Sequence, residues 1–292
     1  MVPYYSMRKI LLSAVLLTSL FASCKKEDAP VTEDPIPKDR VFFTLDGGNM
    51  SNYTMLQLDD KQRVDYYIIA NLDRNYYFRQ DPIFDADGRM TGMNTNTEAD
   101  PSALLKTATF AYNSNNKLVI INHISPSTWN RLSYDSLVYN GEGQLAAIYH
   151  SKPNNEVTPQ FAFYSKETMV WDSKSNIIAR HILPFSGDTE GKDTISTATY
   201  TYDDAINFMI KPADLFVMDL NNGITWLSAN NPLTQVTRYP AGDSVVTINN
   251  LYTYDRGNYP DSIFHTRKAT QGGAEVYNNT SKFAIKYKIL DK

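Results

Sequence analysis

Four histidines are the first candidates for acid–base or metal chemistry in this chain, because imidazole titrates near neutral pH and ligates metals. His123, His150, His181 and His265 are separated by 27, 31 and 84 residues. No pair shares a helical turn or adjacent positions of one strand, although folding can bring distant residues together. We therefore expect surface histidines or hydrogen-bonded histidines within strands.

None of the common catalytic motifs is present. The thirteen glycines never form a GxSxG elbow, a phosphate-binding loop or a GxGxxG turn, and the chain has no HExxH. The 32 acidic residues could still include a glycosidase pair, since sugar hydrolysis needs only two carboxyl groups about 5 to 10 Å apart. We predict no catalytic residue and no cofactor, with glycoside hydrolysis as the alternative.

Two aspartates and two tryptophans are candidate ligand contacts. Asp85 and Asp87 alternate as in a calcium loop, but its bidentate glutamate is missing, and a hairpin turn would use the same residues. Trp129 and Trp226 could stack against sugar rings or side chains, with core packing as the other interpretation. Trp129 follows the loop-like segment 125–128 and is the better candidate.

The only cysteine follows an apolar segment. Arg8 and Lys9 precede the apolar run 10–21, which is shorter than the roughly 20 residues that span a bilayer. Phe21-Ala22-Ser23-Cys24 resembles the bacterial lipobox, whose cysteine thiol accepts a diacylglycerol and becomes the mature N-terminus. This resemblance implies a cleaved signal peptide over 1–23, lipidation of Cys24, and outer-membrane lipid as the partner of its acyl chains.

Residues 24–40 have the composition of a disordered tether. Three prolines occur there among nine charged residues, with almost nothing to bury. Lys25-Lys26-Glu27-Asp28 resembles the signal that sends lipoproteins of the Bacteroidota to the cell surface. We therefore expect a surface-exposed protein held by lipid in the outer membrane.

A nine-residue pattern recurs beyond the tether: apolar, any, aromatic, Asp or Asn, two variable positions, a Gly, small or polar residue, any, apolar. Five copies begin at residues 82, 110, 137, 169 and 200, and an altered sixth covers 252–260. Alternating apolar residues face a core, Asp or Asn caps a turn, and Gly or Asn tolerates a positive φ. Each copy is therefore predicted to be one β-hairpin.

The repeats predict an all-β domain over 41–292. Consecutive hairpins give an antiparallel meander, a twisted sheet that could curl towards a barrel and so protect its edges. Short helices are expected only at 102–106 and 211–220, each near a proline that suits a helix start.

Four Asp-Ser/Thr-apolar triplets resemble the O-glycosylation sequon of exported Bacteroidota proteins. A turn that enters a strand would give the same sequence. The hydroxyl residues of the four triplets are Ser136, Thr194, Ser244 and Ser262.

Two family resemblances concern the repeats. The Tyr-x-Tyr-Asp units are similar to the tyrosine–aspartate (YD) repeats of large bacterial surface and toxin-shell proteins. Asp214-Leu215-Phe216, the segment 228–233 and Tyr252-x-Tyr254-Asp255 with Tyr259-Pro260 resemble a family of Bacteroidota surface lipoproteins. The second resemblance implies a fold style and a location, but no reaction is established for that family.

Charge and composition limit the classes of binding partner that we expect. The 28 basic and 32 acidic residues are scattered and leave a net charge of −4, so nucleic acid is not expected as a partner. We predict a non-catalytic module that binds a glycan or a protein. A surface glycoside hydrolase and a structural envelope component are the alternatives, and the oligomeric state stays open.

Overall fold

The computed structural model describes residues 40–47, 52–61, 63–71, 76–96, 104–154, 160–186, 189–209, 215–220 and 223–289. The predicted signal peptide, Cys24 and nearly all of the tether lie outside the described residues. The strands are β1 (Arg40–Asp46), β2 (Asn52–Leu58), β3 (Val64–Asn71), β4 (Tyr76–Phe84), β5 (Met90–Asn96), β6 (Leu104–Tyr112), β7 (Leu118–Ile124), β8 (Arg131–Tyr139), β9 (Leu145–Pro153), β10 (Phe161–Trp171), β11 (Ile177–Ser186), β12 (Thr189–Glu190), β13 (Ser196–Ile206), β14 (Asn230–Tyr239), β15 (Ser244–Tyr254), β16 (Pro260–Gln271) and β17 (Ala274–Ile289).

The strands close into a sixteen-stranded antiparallel barrel. Each long strand pairs with the next, β11 pairs directly with β13, and β12 adds only two residues beside the end of β11. Strand β1 pairs with both β2 and β17, which closes the ring. The predicted all-β meander is confirmed, and closure protects its edges as expected.

The tight turns of the repeats lie at one end of the barrel, here called the turn end. In the turns that begin at Asp85, Asn113, Asn140, Asp172 and Asp255, the first N–H donates to the carbonyl four residues on. The side-chain oxygen of the same residue accepts N–H groups two and four residues on. The fourth residue has a positive φ in every case: Gly88, Asn116, Gly143, Ser175 and Asn258. Five of the six predicted hairpins are thus present.

The β2–β3 turn is a further copy that the pattern did not predict. Asp59 accepts the N–H groups of Lys61 and Arg63, each at 2.9 Å, as the other turn residues do. Leu58 stands in place of the aromatic residue, which is why the pattern missed this copy.

The copy predicted at 200–208 is not a hairpin. Strand β13 continues to Ile206, and Asp203 Oδ1 accepts the N–H of Ala205 and that of Asn231 at 3.1 Å. Asp203 is thus bonded to β14, and the described residues between 207 and 229 pack inside the barrel before β14 begins. We call the described part of this segment (207–209, 215–220 and 223–229) the plug.

The plug packs inside the turn-end half of the barrel. It contains two 3₁₀ helices, Leu215–Asp219 and Gly223–Leu227, so the helix predicted at 211–220 is confirmed where it is described. Leu215, Met218 and Ile224 are at most 2% exposed and join the main core. None of the helices in the described residues is long and apolar enough to cross a membrane.

The other predicted helix is wrong. Leu104 to Lys106 begin strand β6, and Leu104 pairs with Asn96 of β5. Ladder pairing with β5 outweighs the helix propensity of the local Ala-Leu-Leu-Lys sequence.

In four of the six repeats, the aromatic residue links its repeat to the one before. Its side chain donates a hydrogen bond to the carbonyl of the ninth residue of the preceding copy. The pairs are Tyr112 with Met90 (2.6 Å), Tyr139 with Leu118 (2.8 Å), Trp171 with Leu145 (2.8 Å) and Tyr202 with Ile177 (2.7 Å).

Candidate functional site: a polar cavity at the loop end

The end of the barrel opposite the tight turns, here called the loop end, holds a cavity of about 640 Å³. Side chains alternate across a strand, so the core residues Leu137, Ile148 and Met169 place residues two positions away on the inner face as well. The cavity is lined by Phe78, Gln80, Met93, Thr95, Lys106, Thr107, Ala108, His123, Ile124, Leu132, Ser133, Asp135, His150, Tyr164 and Glu167 of the wall, and by residues 217–220 of the plug.

A chain of charged groups runs along the cavity wall over five strands. Asp135 is central, with Oδ2 at 2.7 Å from His123 Nε2 and Oδ1 at 2.6 Å from His150 Nδ1. The other nitrogen of His150 lies 3.1 Å from Glu167 Oε1. Arg180 closes the chain with a bidentate pair to Glu167 at 2.6 and 2.8 Å. We call these five residues the ion network.

The ion network fixes the charges of Asp135, His150 and Glu167. Burial alone would raise the pKa of Asp135, but hydrogen bonds from His123 and His150 outweigh it and lower the pKa to about 2. Burial disfavours charged His150, yet its contacts with Asp135 and Glu167 raise its pKa to about 9. The pKa of Glu167 is lowered because His150 and Arg180 outweigh its burial. At neutral pH both carboxylates are ionised and His150 is protonated.

This charge state does not suit glycoside hydrolysis by the Asp135 and Glu167 pair. Such hydrolysis needs one carboxyl group with a raised pKa to protonate the leaving oxygen. Here both groups have a lowered pKa and both are already engaged with cations. The wall offers fixed charges and hydrogen-bonding groups rather than an acid–base pair.

Gln80 contributes an unused acceptor to the same wall. Its side chain is only 3% exposed, and within the described chain Oε1 accepts no hydrogen bond. An unpaired buried amide oxygen costs roughly 1–3 kcal/mol, which a ligand donor could recover. Phe78 and Tyr164 line the same cavity and offer aromatic faces.

The Asp85 carboxylate is occupied by its own turn. Oδ1 accepts the N–H of Asp87 at 3.1 Å and that of Arg89 at 2.9 Å, while Oδ2 accepts the Arg89 side chain at 3.2 Å. These contacts match the hairpin interpretation, and calcium binding at Asp85 and Asp87 stays a sequence prediction. No group of three or more His, Cys, Asp or Glu residues in the described ranges is placed to hold a metal.

The two candidate tryptophans lie in different settings, and neither lines the cavity. Trp129 is 69% exposed, with φ of 57°, in the loop-end connection between β7 and β8. Trp226 lies in the plug, where its ring packs edge-on against Tyr67 at 5.8 Å. Its ring thus contributes to core packing, and ligand contacts at Trp129 and Trp226 stay predictions.

The four candidate glycosylation residues are all partly exposed. Ser136 lies within β8, Ser244 begins β15, and Thr194 precedes β13. The Ser262 hydroxyl is 2.6 Å from that of Thr253 on the neighbouring strand. Modification at any of them stays a prediction.

Sequence reasoning missed the ion network, although one signal for it was available. His123 and His150 each come thirteen residues after the start of their repeats at 110 and 137. Residues at one phase of consecutive hairpins lie near each other on the same face, and the structure bridges these two through Asp135.

Comparison with known proteins gives a structural likeness alone. No family model matches the chain, and no curated protein matches it. The crystal structure of a porin-like protein from Bacteroides uniformis ATCC 8492 is 12% identical, with a TM-score of 0.51 over 87% of this chain and 98% of that one. A porin-like protein from Bacteroides vulgatus ATCC 8482 is 13% identical, with a TM-score of 0.45 over 86% and 99%. The first likeness shows a shared barrel fold.

Proposed function

We propose that the protein is a non-catalytic binding barrel of the cell envelope whose loop-end cavity takes a small neutral carbohydrate. The observation that carries this proposal is the cavity itself, which combines a fixed ion network with an unused amide acceptor beside aromatic faces. Its volume of about 640 Å³ falls within the usual range of small-molecule sites.

A carbohydrate suits these groups. Sugar hydroxyls can donate to the carboxylates of Asp135 and Glu167 and to Gln80 Oε1, and the apolar faces of the ring can pack on Phe78 or Tyr164. The carboxylates are already held by His123, His150 and Arg180, so they need not reorganise when a ligand binds.

Several features support a place at the membrane surface. Strand β1 begins at the turn end, where Arg40 pairs with Ile289, so the described chain enters the barrel at the end opposite the cavity. Lys282, Lys286 and Lys288 alternate with the inward residue Ile285 and are exposed on the outer face of β17. A lysine on a lipid-facing strand costs about 2–4 kcal/mol at mid-bilayer, so this outer face suits water. The barrel shared with a Bacteroides porin-like protein is in keeping with an envelope role.

The proposal is tested by titration calorimetry with D-glucose, D-galactose, D-mannose and N-acetyl-D-glucosamine. Gln80→Met keeps the size of the side chain and removes the unpaired oxygen, so we expect at least tenfold weaker saccharide binding without a lower melting temperature. Gln271→Met, at an exposed residue that ends β16, is the matched control and should bind as the wild type does.

Two results would contradict the proposal. One is the absence of binding for every sugar of the panel. The other is equal affinity of wild type and Gln80→Met, which would place any bound sugar elsewhere, for example at Trp129.

A further inference from the structure

A second cavity lies inside the loop-end half of the barrel, against a different part of the wall. Its volume is about 290 Å³ and it shares no lining residue with the first cavity. Its polar lining comes from β11, β13, β14 and β16: Arg180, Ser196, Gln235, Thr237, Tyr239 and Arg267. The remaining lining residues are aliphatic, and no carboxylate is among them.

The two arginines differ in their charge balance. Arg180 is neutralised by its bidentate pair with Glu167 at 2.6 and 2.8 Å. Arg267 makes no ion pair with any residue in the described ranges, although it projects into the same cavity. Burial lowers the pKa of His265, and the positive charge of Arg267 lowers it further. The second cavity therefore carries an uncompensated positive charge.

The groups around Arg267 are hydrogen-bonding and apolar rather than acidic. Gln235 Nε2 donates to Thr237 Oγ1 at 3.1 Å, which leaves its second amide hydrogen available. The Tyr239 hydroxyl is a further donor, and Val246 and Ile248 supply an apolar wall. A guanidinium binds a carboxylate through two parallel hydrogen bonds, whereas a lysine ammonium acts only as a point charge.

We propose that this second cavity binds the carboxylate of a small organic acid, such as the acid group of a uronic sugar, with Arg267 as the bidentate partner. The aliphatic wall takes the body of the ligand, and Gln235 and Tyr239 donate to its remaining oxygens. The site is separate from the carbohydrate cavity proposed above and does not depend on it.

The test is calorimetry at low salt with D-glucuronate, D-glucose and inorganic sulfate. Arg267→Gln should bind D-glucuronate at least tenfold more weakly than the wild type. Arg238→Gln is the matched control, because Arg238 is an exposed arginine on β14 that follows the inward residue Thr237. It removes the same charge from the outer face and should leave glucuronate affinity unchanged.

A second variant separates a role in binding from a role in folding. Arg267→Lys keeps the charge and loses the planar fork, so it should retain the wild-type melting temperature and still bind glucuronate more weakly. Unchanged glucuronate affinity in both Arg267 variants would overturn the proposal, and so would sulfate binding as tight as glucuronate binding.

The carbohydrate proposal and the carboxylate proposal are tested by different variants. Gln80→Met should leave glucuronate binding intact, and Arg267→Gln should leave the binding of neutral sugars intact. Equal loss of glucuronate binding in Gln80→Met would place the acid in the first cavity and overturn this assignment.

Discussion

His150 is the residue on which the ion network depends most, because it lies between two buried carboxylates. Its folded-state pKa of about 9 lies above the ordinary value of 6.5. The stabilisation from protonated His150 is therefore complete below about pH 6.5 and is lost as the pH rises through about 9. Asp135 behaves oppositely: its stabilisation is present above about pH 4 and is lost as the pH falls towards 2.

We predict that the free energy of unfolding falls on the order of 3 kcal/mol between pH 6 and pH 9.5, from the rise of the His150 pKa from 6.5 to about 9. Urea unfolding at the two pH values measures the fall. His150→Asn should unfold with a much smaller difference between the two pH values. The same pH dependence in variant and wild type would show that His150 is not the responsible group.

Ser175 is a second residue whose contribution to stability can be measured. Its φ of 65° lies in the left-handed region, where a residue with a Cβ is strained by about 1–2 kcal/mol. We predict that Ser175→Gly raises the free energy of unfolding by about 0.5–1 kcal/mol. Ser173→Gly, two residues earlier in the same turn and without a positive φ, should lower it instead. A stabilised Ser173→Gly or a destabilised Ser175→Gly would contradict the turn geometry.

At the scale of elements, the sequence predicted the elements that local contacts determine and missed those that depend on distant contacts. The hairpins at Asp85, Asn113 and Asn140 could be predicted because each turn uses its own side chain and a positive-φ residue within five positions. The hairpin predicted at Asp203 does not form, because the Asp203 carboxylate accepts the N–H of Asn231, a residue 28 positions away. The helix expected at 102–106 failed for a similar reason, since pairing with β5 decides the conformation of Leu104.

The candidate site was harder to predict than the fold. The sequence gives the type of each residue, but the meeting of Asp135, His150 and Glu167 depends on strand register across β8, β9 and β10. The repeat phase shared by His123 and His150 was the one usable signal. Arg267 could not be assigned to a cavity, because its inward direction follows from the pairing of β16 with both neighbours.

The plug is closely packed around Gly223. A Cβ on Gly223 would lie 2.9 Å from the Trp226 ring and 3.0 Å from the Phe216 carbonyl. We predict that Gly223→Ala lowers the free energy of unfolding by about 1–3 kcal/mol. Gly141→Ala, whose Cβ would meet nothing within 4 Å, should leave stability unchanged or slightly raised. Equal melting temperatures for the two variants would mean that the plug is not tightly held.

For the whole molecule, the proposed lipidation of Cys24 makes a prediction about location. Cys24 is the only cysteine, so Cys24→Ser removes the only thiol that could be acylated. We predict that this variant appears in the soluble fraction of cells, whereas the wild type sediments with outer membranes and is cleaved by protease added to intact cells. Membrane association of Cys24→Ser equal to that of the wild type would contradict lipid anchoring.

The central claim is that a neutral sugar binds within the loop-end cavity, and the four histidines allow it to be tested directly. His123 and His150 line that cavity, while His181 pairs with Thr168 and Thr197 and lines neither cavity. The measurement is NMR of the histidine side chains during titration with the four sugars named above. At least one sugar should shift the His123 and His150 resonances in a saturable way and leave His181 unmoved. If no sugar shifts His123 or His150, or if His181 shifts equally, the cavity is not the binding site.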